Sequence, residues 1–191
     1  RTNKGKFSSG LEYALLTKEN RGDAVVLTMR MRYGDPKSSI GKESAGSFAS
    51  MLMDKGTNSM TRQEIQDKLD GMEARVSVFG GQTGATLRIQ TTNDNLQEAI
   101  DLAAEMLKNP KFDETEFQKL KEERLAQIEE NLSDPGALAG DKFGQLLNPY
   151  PKSDIRYSMT MQEQMDQIKE LKLEDVKAFY EDYYGTSDGT L

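Results

Sequence analysis

The stretch AVVLTMRMRYGDPKSSIGKESAGSFASMLMDKGT, Ala24–Thr57, changes its hydrophobic period partway along. In its first part Val25, Leu27, Met29, Met31 and Tyr33 alternate with Val26, Thr28, Arg30 and Arg32. A period of two marks a half-buried strand with one polar face. GDPKSSIG is a polar loop carrying Gly and Pro. From Ser44 the spacing becomes helical: Ala45, Phe48, Ala49 and Leu52 fall at i, i+3, i+4 and i+7, on one stripe, before Lys55-Gly56-Thr57 closes the run. A long strand followed directly by an amphipathic helix calls for a sheet covered by helices.

The flanking sequence fits that plan. Leu11–Lys18 reads as the first strand and Arg21–Asp23 as a turn. TRQEIQDKLDGM opens with Thr61 three residues before Glu64, a capping box, and Gly71 suits a helix stop. ARVSVFGGQTGATLRIQTT predicts a hairpin, with Val76 and Val78 on one side of its first arm and Ala85, Leu87 and Ile89 along its second. Three helical runs follow. The first, rich in Leu96, Ala99, Ile100, Ala103 and Met106, stops at Pro110. The second is capped by Asp113, and the third runs from the capping box Thr160/Glu163 to Gly185. Neither an internal repeat nor a linker interrupts the chain. The expectation is one α+β domain over residues 1–191, an antiparallel sheet with helices on one face.

Composition narrows the chemistry. Apolar residues make up 36% and charged residues 30%, as in a soluble globular protein. The net charge of −7, without a basic stripe in the sequence, argues against nucleic acid as partner. No apolar run approaches the roughly 18 residues of a membrane span. The opening RTNKGKFSSG lacks Met and an apolar signal core, so it reads as a cut end that is silent about targeting. There is no Cys and no His. Thiol catalysis, thiolate metal sites and the commonest general base and zinc ligand are therefore excluded.

The remaining motifs have structural readings. GGQTG, Gly80–Gly84, joins two strands, whereas a dinucleotide fingerprint joins a strand to a helix. Glu122, Glu123, Glu129 and Glu130 are interspersed with Lys119, Lys121 and Arg124, the pattern of a solvated charged helix face. NPYPKSDIRY, Asn148–Tyr157, is a Pro-punctuated loop whose Tyr150, Arg156 and Tyr157 are expected to pack it onto the domain.

The order of elements is a strand, a long strand ending YGD, a helix ending KGT, a capped helix, a Gly-containing hairpin and long helices. Together with NPYP…DIRY and LEDVKAFYEDYYG, it resembles the insulinase/pitrilysin family of zinc metallopeptidases along essentially the whole chain. The resemblance implies a metallohydrolase-like fold of the insulinase/mitochondrial processing peptidase type. Active members carry His-x-x-Glu-His on the helix before Gly-Thr, with a distal Glu about 75 residues on. Setting KGT on the family's Gly-Thr places the motif on Ser47, Ser50 and Met51, and SDP places the distal Glu at Gln127. Ser, Met and Gln are poor holders of a catalytic zinc. Met51 is then expected to fill the gap between its helix and the one bearing Gln127.

By this resemblance the chain is a non-catalytic domain, similar to the third domain of a bacterial two-half peptidase. It would bind no metal, and zinc would sit in a catalytic half of the parent protein. Its partners would be that half and a peptide substrate, with periplasmic localisation suggested by relatives. Substrate would add along the edge strand Ala74, Arg75, Val76, Ser77, Val78 and Phe79. The alternative is an inactive scaffold or binding subunit of the same fold. An independent enzyme is disfavoured, because no convergent pair of titratable groups can be placed.

Overall fold

The computed structural model describes residues 2–35, 37–185 and 189–191; Pro36 of the GDPKSSIG loop lies outside them. Among the described residues six strands form one sheet: β1 (Thr2–Lys6), β2 (Glu12–Leu16), β3 (Ala24–Arg32), β4 (Arg75–Gly80), β5 (Gly84–Thr92) and β6 (Gly189–Thr190). Their order across the sheet is β1-β2-β6-β3-β5-β4, so β4 is an edge. The sheet is mixed rather than purely antiparallel, because β2 pairs parallel with β6. Residues 189–190 enter between β2 and β3, which local periodicity cannot foresee. β1, paired with β2 from Thr2↔Leu16 to Lys6↔Glu12, is a second addition to the expected strands.

The predicted alternation sets the faces. Met29 and Met31 of β3, and Ala85, Leu87 and Ile89 of β5, are buried beneath the helices, and Val76 and Val78 of β4 pack against the same core. Arg30 and Arg32 are exposed on the opposite, open face, as is Val26 at 56%. The β3–β5 register pairs Ala24 with Thr92 through Arg32 with Gly84, keeping the two apolar rows in one layer.

The described residues form seven helices: α1 (Glu43–Leu52), α2 (Arg62–Gly71), α3 (Leu96–Lys108), α4 (Glu114–Leu132), α5 (Pro135–Leu147), α6 (Met161–Glu170) and α7 (Leu173–Tyr183). The capping boxes at Thr61/Glu64 and Thr160/Glu163 both form, and Asp113 accepts from the Thr115 and Glu116 amides. The turn after α2 differs from expectation. Its left-handed residue is Glu73, at φ 47°, not Gly71.

The run expected as one last helix is divided. Leu171 is extended, and Lys172 begins a new cap, its amide donating to Asp175 Oδ2 at 3.0 Å. Lys121 of α4 holds the break by donating to the Lys169 and Leu171 carbonyls, each at 2.8 Å. Lys121 is thus a structural cap, not part of a solvated face. The four glutamates around it, Glu122, Glu123, Glu129 and Glu130, are exposed as predicted.

Candidate functional site

α1 is clamped from three sides, which fixes where Ser47, Ser50 and Met51 lie. Phe48 meets Phe117 of α4 edge-on with ring centroids 5.8 Å apart. Gln167 of α6 accepts from the Ser44 amide and hydroxyl, and its own amide donates to the Gly41 carbonyl at 3.0 Å. On the sheet side, a Cβ on Gly46 would meet the Gly81 carbonyl oxygen at 2.4 Å. A glycine there lets the helix touch the hairpin.

Ser50 is buried against the end of β4. Its hydroxyl donates to the Ser47 carbonyl at 2.7 Å. A Cβ on Gly80 would meet the Tyr184 hydroxyl at 2.8 Å and Ser50 Cβ at 3.0 Å. Burial pushes the Tyr184 hydroxyl well above the usual phenol range, so it stays neutral. Ser47 is half-buried and lines a small cleft of about 110 Å³ with Glu43, Gly80, Gly81, Arg124 and Gln164. Met51 is half-buried. The aromatic contact between α1 and α4 is the Phe48–Phe117 pair, one turn from the expected thioether.

Gln127 is exposed on α4, where its side-chain oxygen accepts from Arg124 Nη1 at 2.7 Å. The α4 residue that shares the cleft with Ser47 is therefore Arg124. Sequence reasoning assigned Arg124 to a solvated face; its place one turn before the buried Ile128 was the available signal. These residues do not fit a catalytic zinc. Two hydroxyls, a thioether and a carboxamide are weak donors, and the charge of Arg124, which lines the cleft with Ser47 and bonds Gln127, opposes a divalent cation. Among the described residues, no group of three His, Cys, Asp or Glu side chains converges as a metal cluster.

The second candidate surface is the free edge, where Ala74–Phe79 was expected to lie. Among the described residues β4 pairs with β5 on one side only, from Arg75↔Gln90 to Gly80↔Ala85. Ala74 is buried just before it. Arg75 and Phe79 are exposed, the latter at 66%, while Ser77 between them is half-covered. A groove of about 670 Å³ runs between α2 and β4, lined by Leu69, Asp70, Glu73, Arg75 and Ser77.

The NPYPKSDIRY loop uses its polar groups internally. Arg156 lies over the Tyr150 ring at 3.9 Å and donates to both Asp154 oxygens, at 2.9 and 2.7 Å. Tyr157 donates to Glu163 at 2.6 Å, and Lys152 pairs with the same carboxylate. These bonds hold Glu163 far below the usual carboxylate range, at about 2.

The profile of Insulinase (Peptidase family M16) matches residues 45–143, more than half of the chain, beginning on the clamped helix. The chain belongs to the insulinase family. This M16 chain is 22% identical over 121 residues to an "Uncharacterized zinc protease" of Rickettsia bellii, and equally to one of Rickettsia felis. Those matches cover 63% of this chain and 29% of each relative, so the chain spans under a third of their length. Its fold is similar to the peptidase M16 inactive domain from Pseudomonas fluorescens, with TM-score 0.78 and 16% identity over 100% of this chain and 45% of that one. It is also similar to the periplasmic protease PqqL from Escherichia coli, with TM-score 0.79 and 15% identity over 99% and 21%.

Proposed function

We propose that this M16 chain is a non-catalytic domain of a zinc-dependent peptidase, forming chamber wall and contacting peptide along the β4 edge. The observation that carries the reading is the pairing of a preserved frame with unsuitable donors. α1 and α4 are packed as the fold requires, yet Ser47, Ser50, Met51 and Gln127, the positions the resemblance sets on the motif, supply neither imidazole nor carboxylate. Arg124 adds a positive charge at the same cleft. The similarity to a domain described as inactive, and to under half of its chain, supports a parent with a separate catalytic half holding zinc.

α5 supports a contact elsewhere in that parent. It exposes Leu138, Phe143, Leu146 and Leu147, and none of its residues is buried. Exposed apolar side chains gathered on one helix in this way mark interaction surfaces. The similarity to PqqL supports a periplasmic setting.

Peptide would add as a strand to β4, main-chain hydrogen bonds supplying affinity with little demand on side chains. Hydrogen exchange on the parent protein with an unfolded peptide tests this. Amides of Arg75–Gly80 should gain protection; if only the catalytic half gains it, this domain is wall alone.

A further inference from the structure

We propose that the open face of the sheet binds acidic polypeptide segments through a diagonal of three arginines, Arg75, Arg88 and Arg30. The strands of this acidic chain carry an excess of positive charge, with Glu73 the acid that lines a groove beside Arg75. The strands carry Lys4, Lys6, Arg30, Arg32, Arg75 and Arg88 against the single acid Glu12, leaving 19 basic and 31 acidic residues for the rest. All six strand cations are exposed. Glu12 is engaged by Lys6 at 3.6 Å. Among the described residues, none of the three diagonal arginines makes an ion pair.

Register puts the three in line. Arg88 stands opposite Ser77 on β4 and Thr28 on β3, so Arg75 and Arg30 are each its diagonal neighbour on the same face. Diagonal neighbours stand roughly 7–8 Å apart, and an extended chain presents same-side side chains about every 6.6–6.8 Å. An extended segment with acids at alternate positions therefore matches the row. Like charges on adjacent strands repel one another, so an unoccupied row works against the sheet and an anionic occupant relieves it. Exposed Phe79 and Val26 lie on the same face and offer apolar contact at either side of the row.

The occupant is polypeptide rather than nucleic acid or an anionic membrane. Screening over about 8 Å lets a local acidic side chain feel the row alone, whereas an extended polyanion also meets the acidic helical layer. The inference rests on the peptide-contact reading only for the nature of the ligand; it needs no strand addition at β4.

Fluorescence anisotropy of the chain with a short labelled peptide bearing Glu at alternate positions tests the proposal, against its Gln counterpart, a thymidine oligonucleotide and phosphatidylglycerol vesicles. The Glu peptide should bind roughly tenfold or more tighter than the Gln peptide. That preference should vanish in Arg75→Glu/Arg88→Glu and weaken with salt, while Lys177→Glu in the helical layer leaves it intact. Arg75→Gln/Arg88→Gln, milder for folding, should lose it too. Equal binding of both peptides, stronger binding of the oligonucleotide or vesicles, no binding of the Glu peptide, or an equal effect of Lys177→Glu overturns the proposal. Exchange at β4 separates the two readings. Protection there with both peptides alike keeps the edge reading and sinks this one; arginine-dependent binding without protection does the reverse.

Discussion

Arg124 and Gln127 are joined on α4 by a hydrogen bond of 2.7 Å, and Arg124, not Gln127, lines the cleft with Ser47. A cation fixed at this place opposes any metal brought to α1. Restoring Ser47→His, Ser50→Glu, Met51→His and Gln127→Glu together should yield only weak zinc binding, since the groups that orient such ligands are not built here. Adding Arg124→Ala should strengthen it by roughly tenfold through removal of the like charge. Calorimetric titration of both variants measures the difference, and equal affinities would exclude a role for Arg124.

Glycines on two helices should respond oppositely to alanine. Gly46→Ala drives a methyl into the Gly81 carbonyl and Phe179, both closer than 3.0 Å, so α1 must leave the hairpin. A loss of about 1–3 kcal/mol is expected from overpacking. Gly140 on α5 has nothing within 4 Å, and Gly140→Ala should gain about 0.5–1 kcal/mol from helix propensity. Urea unfolding of the two variants gives both signs.

Phe48 and Phe117 are each about 1% exposed and hold α1 against α4. Phe48→Ala and Phe117→Ala should each cost about 3–5 kcal/mol. The double variant should cost less than the sum by about 0.5–1.5 kcal/mol, the coupling of an edge-on aromatic pair. Additivity in denaturant titrations would mean that the rings act independently.

Acid should loosen the 149–160 loop before the core. Glu163 is held at about 2 in the folded chain, against 4.5 for the free side chain, by Lys152, Tyr157 and the Thr160 amide. A depressed folded value means that its stabilisation is complete above about 4.5 and is lost as pH falls toward about 2. Glu163→Gln should flatten stability across that window while leaving the neutral range lower. A thermal melt series from pH 6 to about 2 reads this directly.

Much of this was legible because it is local. The period of two in β3 and of 3.6 in α1 placed Met31 and Phe48 in the core, and side-chain oxygens at Thr61, Asp113 and Thr160 fixed helix starts. The break at Leu171 was not legible, since its cause, Lys121, lies 50 residues earlier on another helix. Arg124 escaped for the same reason: its neighbours Ser47 and Gly81 come from distant elements. The arginine diagonal needs strand register, which single-strand alternation does not supply.

β6 has a consequence for the order of assembly. Leu191 donates to the Glu12 carbonyl at 2.7 Å and accepts from Ala14 at 2.9 Å, while Gly189 and Thr190 pair with Met31 and Arg30. The β1–β2 hairpin joins the sheet through residues 189–191, which are synthesised long after it. It must wait, unpaired on that side, for almost all of these 191 residues to be synthesised. Closing so long a loop is slow and leaves a strand edge open during translation. An edge exposed in this way is open to pairing with other chains until residues 189–191 arrive.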